Sequence, residues 1–110
     1  MWSIIFLGGK MDIIDVTLKN EKERNIKMQN YYNELITSLP IGSVVLKKIG
    51  NKEYCYLHYK EDGKTKNKYY GDASNYHNLM KDISKRKHYE NMLRNLKKEY
   101  IRIERMEKIL

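Results

Sequence analysis

The sequence predicts an α+β domain in which an N-terminal helix leads into a three-stranded antiparallel meander and a long C-terminal helix follows it. Three observations carry this expectation. Between Gly42 and Gly71, the dipeptides Gly50-Asn51 and Asp62-Gly63 separate three strand-like runs. Before them, an apolar stripe of helical spacing stops at Pro40. After them, from about Ser74 to the end, about 36 residues rich in Leu, Met, Ile, Lys, Arg and Glu pass without a Gly or Pro.

Residues 1–19 read as a leader or a poorly defined N-terminal segment. Trp2-Ser3-Ile4-Ile5-Phe6-Leu7 is too short for a signal-peptide core, no Lys or Arg precedes it, and no small-residue cleavage site follows. Gly8-Gly9 then Lys10-Met11 looks like a junction, with two readings open: Met11 as the start behind a translated leader, or a short ordered strand or tail. Asp12–Leu18 extends the next helix through Ile14, Leu18, Asn25 and Met28, or alternates as a strand through Ile14, Val16 and Leu18; the helical reading is preferred. Residues 20–110 are expected to form a single basic domain.

Asn20 and Glu23 have the spacing of an N-cap and its reciprocating acid, and Met28, Tyr32, Leu35 and Leu39 continue the stripe, which predicts a helix over 20–38. The meander spans 43–70, with strands at Ser43–Ile49, Glu53–Lys60 and Lys64–Tyr70. Two-residue loops set Lys47 opposite Tyr54, Val45 opposite Tyr56, Tyr56 opposite Tyr69 and His58 opposite Asn67. One face then carries Val45, Lys47, Tyr54, Tyr56, His58, Asn67 and Tyr69. The other carries Val44, Leu46, Cys55, Leu57 and Tyr70 with Lys48, Lys66 and Lys68 at its rim, and its aliphatic centre marks it as the core face.

The long helix is expected over 74–110. Tyr89, Met92, Leu93, Leu96, Tyr100, Ile103, Met106 and Leu110 share one broad face at 100° per residue, whereas Leu79 and Ile83 fall off it. That mismatch predicts a kink, or a separate short helix, near Ser84–Lys87. A small sheet cannot cover so long a face, so its free half should pair with residues 20–38 as a helical hairpin, or with a second copy in a coiled coil. A homodimer is the expectation.

Charge points to the partner. The chain of 110 residues carries a net +8, with 22 Lys and Arg against 14 Asp and Glu, and all the excess lies beyond residue 39. With 41% hydrophobic residues it is too apolar for a disordered polycation, and this basicity suits a polyanion such as DNA or RNA. Lys, Ile, Asn and Tyr dominate and Ala appears once, a bias typical of AT-rich bacterial genomes, their phages and mobile elements. One cysteine permits no internal disulfide and fits a reducing, cytoplasmic setting, and no run is long enough to span a membrane.

Two surfaces are the candidate sites. Aromatic rings stack on exposed bases while neighbouring lysines neutralise phosphates, which singles out Lys47, Tyr54, Tyr56, His58 and Tyr69. The plain alternative is that tyrosine favours strands and cross-strand pairs. On the helix, Lys87, Arg94, Lys98, Arg102 and Arg105 lie within about 80° of one another with no acid between them, where an ordinary solvated face interleaves both signs. The run Lys85-Arg86-Lys87-His88 reads as a solvated turn rather than a phosphate clamp. His58, His77 and His88 have no metal-ligand spacing, no glycine-rich phosphate loop occurs, and Cys55 points to the core. No enzyme activity, cofactor or metal is expected.

Leu39-Pro40-Ile41-Gly42-Ser43, Lys52-Glu53-Tyr54-Cys55-Tyr56-Leu57-His58-Tyr59, Asp62-Gly63-Lys64 and Lys68-Tyr69-Tyr70-Gly71 resemble a family of small uncharacterised basic proteins of low-GC bacteria and their mobile elements. The likeness covers about residues 20–110 and implies the same order of helix, tyrosine-rich meander and long helix, with no activity to carry over. More distantly, the meander and helix are similar to the arm-binding domains of tyrosine-type integrases, whose sheet contacts DNA; that is analogy at the level of fold. The expected function is a nucleic-acid-binding accessory protein of a phage or mobile element. Two alternatives stand beside it: a phage-encoded inhibitor, such as an anti-CRISPR protein, that binds a host nucleoprotein or its guide RNA, and a homodimeric structural coiled coil.

Overall fold

A computed structural model describes residues 12–110; the leader and start-site readings of residues 1–11 lie outside them. The element order is α1 (Ile13–Thr37), β1 (Ser43–Ile49), β2 (Lys52–Glu61), β3 (Lys64–Asp72), a 3-10 turn (Ala73–Asn75) and α2 (Tyr76–Ile109). The fold is α+β, with a single antiparallel sheet in the order β1-β2-β3. The chain forms two compact units: residues up to Glu34 with Asn91–Leu110, and Leu35–Glu90.

Helix α1 begins earlier than Asn20. Asp12 Oδ1 accepts from the Asp15 backbone N–H at 2.9 Å and Asp15 Oδ2 accepts from that of Asp12 at 3.4 Å, a reciprocal capping pair eight residues upstream of the expected one. Asp12–Leu18 therefore follows the helical reading, and Leu18 is buried where the extended stripe places it. In the helical unit α1 and α2 run antiparallel. Lys22 reaches Glu107 at 3.0 Å and Glu104 at 3.8 Å, while Asn25 Nδ2 donates to the Leu96 carbonyl at 2.9 Å. Leu18, Leu96 and Ile103 are buried, and the fully buried Asn25 is satisfied by Leu96 and by Gln29 Nε2 at 2.7 Å.

In the sheet unit every expected strand pairing is found: Lys47 with Tyr54, Val45 with Tyr56, Tyr56 with Tyr69 and His58 with Asn67. The turns explain why. Gly50 takes a positive φ while Asn51 does not, as a II′ turn requires, and Asp62 (52°) and Gly63 (76°) are both positive, as in I′. Two corrections concern β3. It runs to Asp72 rather than Tyr70, and a register shift pairs Cys55 with Gly71, leaving Tyr70 as the extra residue of a bulge. Tyr70, expected on the core face, is exposed, with Lys68 Nζ 5.7 Å from its ring. Leu46, expected there too, is also exposed because it lies on the edge strand beyond the reach of α2's buried side chains.

The sheet unit's core joins Cys55 and Leu57 of β2 to Leu79 and Ile83 of α2, with Val44, Tyr59 and Tyr76 around them. No separate short helix forms near Ser84–Lys87, since α2 is one continuous helix of 34 residues. Leu79 and Ile83 pack on the sheet within one unit, and Leu96 and Ile103 are buried within the other.

Candidate functional site

The expected sheet residues converge. Because Cys55 and Leu57 are buried, the alternation of β2 sends Tyr54, Tyr56 and His58 to the opposite face, where pairing adds Lys47, Tyr69 and Asn67. Tyr69 is central to the cluster: its ring lies 5.5 Å from that of Tyr56 and 6.1 Å from that of Tyr54, and it is 57% exposed. Lys47 Nζ sits 4.8 Å above the Tyr56 ring, an exposed cation–π contact worth about 0.5–1 kcal/mol, which holds a positive charge beside the aromatic surface. His58 Nδ1 pairs with Asn67 Oδ1 at 2.8 Å, so Nδ1 is the donor and the imidazole is tied to the sheet. A tyrosine trio with a neighbouring ammonium, half wet and backed by a packed core, can stack planar rings and hold anions beside them.

At one end of this face lies an open groove of about 700 Å³, bordered by Lys52, Glu53, Tyr54 and Tyr69 and by the Gly71–Asn75 segment. Sequence reasoning passed over Asp72 and Asn75 here, because only the bulge at Tyr70 lengthens β3 and sets Asp72 opposite Tyr54. Asp72 Oδ1 accepts from the Ser74 backbone N–H at 3.0 Å and from the Ser74 hydroxyl. These hydrogen bonds, the hydroxyl's first, hold the Asp72 carboxyl below its ordinary range, and the charge of Lys52 adds to the effect.

On α2 the second candidate surface divides between the units. Arg94, Lys98, Arg102 and Arg105 are exposed in the helical unit, on the side of α2 opposite Leu96 and Ile103, with Arg94 Nη1 donating to Asn91 Oδ1. Lys87 is exposed in the sheet unit. Its neighbour Arg86 is not a solvated cation. Arg86 Nη1 donates to the Ile36 carbonyl at 2.7 Å and to the Leu39 carbonyl at 2.6 Å, satisfying the end of α1, and Nε stands 3.7 Å from Glu90. Nothing in a run of four basic residues distinguishes this one in advance.

Cys55 is fully buried and desolvation pushes its thiol up, the setting of an inert cysteine. Among the described residues no group of three or more His, Cys, Asp or Glu is placed to hold a metal ion, and no helix is long and apolar enough to cross a membrane.

The model of the family described as Domain of unknown function (DUF6788) matches residues 18–75, more than half of the chain. The chain belongs to that family. No curated protein and no solved structure matches it. The DUF6788 region takes in most of α1, all three strands and the groove residues up to Asn75, so Lys47, Tyr54, Tyr56, His58 and Tyr69 lie inside it. Lys87, Arg94, Lys98, Arg102 and Arg105 lie outside it.

Proposed function

We propose that this DUF6788 chain is a non-enzymatic nucleic-acid-binding protein, an accessory factor of a phage or mobile element, that stacks bases on Tyr54, Tyr56 and Tyr69. Lys47 neutralises phosphate beside the stack, and the exposed cations of α2 supply further, sequence-independent attraction. One observation carries the reading: the tyrosine cluster occupies the face of the sheet that the core does not use, so its aromatic surface is left to a ligand rather than to packing. Stacking on such rings contributes about 1–3 kcal/mol per base and tolerates any sequence.

The test is binding of duplex DNA, single-stranded DNA and RNA across a salt series. Five or six phosphate contacts give a log-log slope of about −4.5 to −5.5 on duplex and about −3.5 to −4 on single strands. Tyr56→Ala should weaken single-strand binding by about 5- to 100-fold. Dissociation constants above about 100 μM at low salt for all three ligands would exclude the reading.

A further inference from the structure

We infer that the groove beside the tyrosine cluster is a subsite for one unstacked guanine of a single strand. The inference rests on the nucleic-acid reading and specifies what the groove adds to it. At about 700 Å³ the groove falls within the range of small-ligand sites. Its rim supplies a stacking surface in Tyr69, exposed and flanked by Tyr54 at 6.1 Å. Asp72, opposite Tyr54 in the sheet register, supplies the polar contact that distinguishes among bases.

The chemistry of Asp72 decides which base. One carboxylate oxygen is taken by the Ser74 backbone and hydroxyl, which fixes the rotamer; the other accepts no hydrogen bond among the described residues. An ionised carboxylate only accepts, so it favours a base edge with adjacent donors. Guanine has two, N1–H and the N2 amine. Uracil and thymine offer one N–H between two carbonyl oxygens, which a carboxylate repels, and adenine and cytosine place an acceptor next to their amine. The guanine O6 then finds donors in Lys52 and in the amide of Asn75, which also line the groove.

Fluorescence anisotropy on 12-mers of uridine and of thymidine, each with and without one central guanine, measures the selectivity directly. A third pair replaces that guanine by hypoxanthine, which keeps N1–H and O6 and lacks the N2 amine, so the key comparison needs no altered protein. The wild-type chain should bind the guanine oligomers about tenfold more tightly than the homopolymers, and hypoxanthine should forfeit most of that gain. Asp72→Asn, which keeps the capping side chain, should bring the guanine ratio to about one. Equal binding of all the oligomers by the wild-type chain overturns the guanine subsite and leaves the nucleic-acid reading standing. A ratio that survives Asp72→Asn also overturns it. Failure to bind any of them overturns both.

Discussion

Gly42 shows how much of the Leu39–Ser43 motif is structural. Its φ is +121°, and a Cβ there would lie 2.2 Å from the His58 carbonyl oxygen, a backbone atom that cannot step aside. Gly42→Ala should therefore cost about 2–3 kcal/mol, seen as a lower midpoint in chemical denaturation. Two residues earlier, Pro40 bars α1 from continuing, and Arg86 donates to the carbonyls of Ile36 and Leu39 at the helix's end. The motif aims the chain from α1 into β1. The binding candidates sit elsewhere, on the outer face of the sheet.

At the level of elements, β2 divides its labour by alternate residues, and substitution should separate the two roles. Leu57→Ala removes a buried side chain of the Cys55–Ile83 core and should cost about 2–5 kcal/mol in thermal or denaturant unfolding, whereas Tyr56→Ala should leave the unfolding midpoint nearly unchanged. The opposite result would turn the sheet over. That register was legible because two-residue turns leave little choice: Gly50-Asn51 and Asp62-Gly63 fix pairing once alternation marks the apolar face. The bulge at Tyr70 was not legible, since a run of polar and aromatic residues carries no mark of an extra one, and with it went the place of Asp72 in the groove. In α1 the Asp12 and Asp15 pair was as visible as Asn20 and Glu23; the apolar stripe decided between them by running on through Ile14 and Leu18. In α2 the off-face positions of Leu79 and Ile83 suggested a kink or a separate short helix; the helix is continuous, and those two residues belong to the core of the sheet unit.

For the molecule as a whole, the apolar length of α2 raised the question of what covers it. In the helical unit α1 covers Leu96 and Ile103, so the need for a second copy that the sequence suggested does not arise at those positions. Ile103→Asp should accordingly unfold the helical unit, with loss of helical circular dichroism at a temperature where the wild-type chain is folded, rather than release a folded monomer. Among the apolar side chains that stay open to water in the helical unit, Ile14, Met106, Ile109 and Leu110 form one small patch. The contact between Arg86 and the end of α1 bears also on the order of assembly. The sheet unit is one unbroken stretch, Leu35–Glu90, whereas the helical unit brings together segments separated by about 56 residues. Closing a free loop of that length costs about 3.5 kcal/mol of chain entropy. A nascent chain need not meet that cost in one step. By the time residue 86 is available, the meander has all its strands, and Arg86 ties position 86 to position 36. The remaining closure, between α1 and the second half of α2, is then a short one, and a pairing distant in sequence forms with the kinetics of a near neighbour.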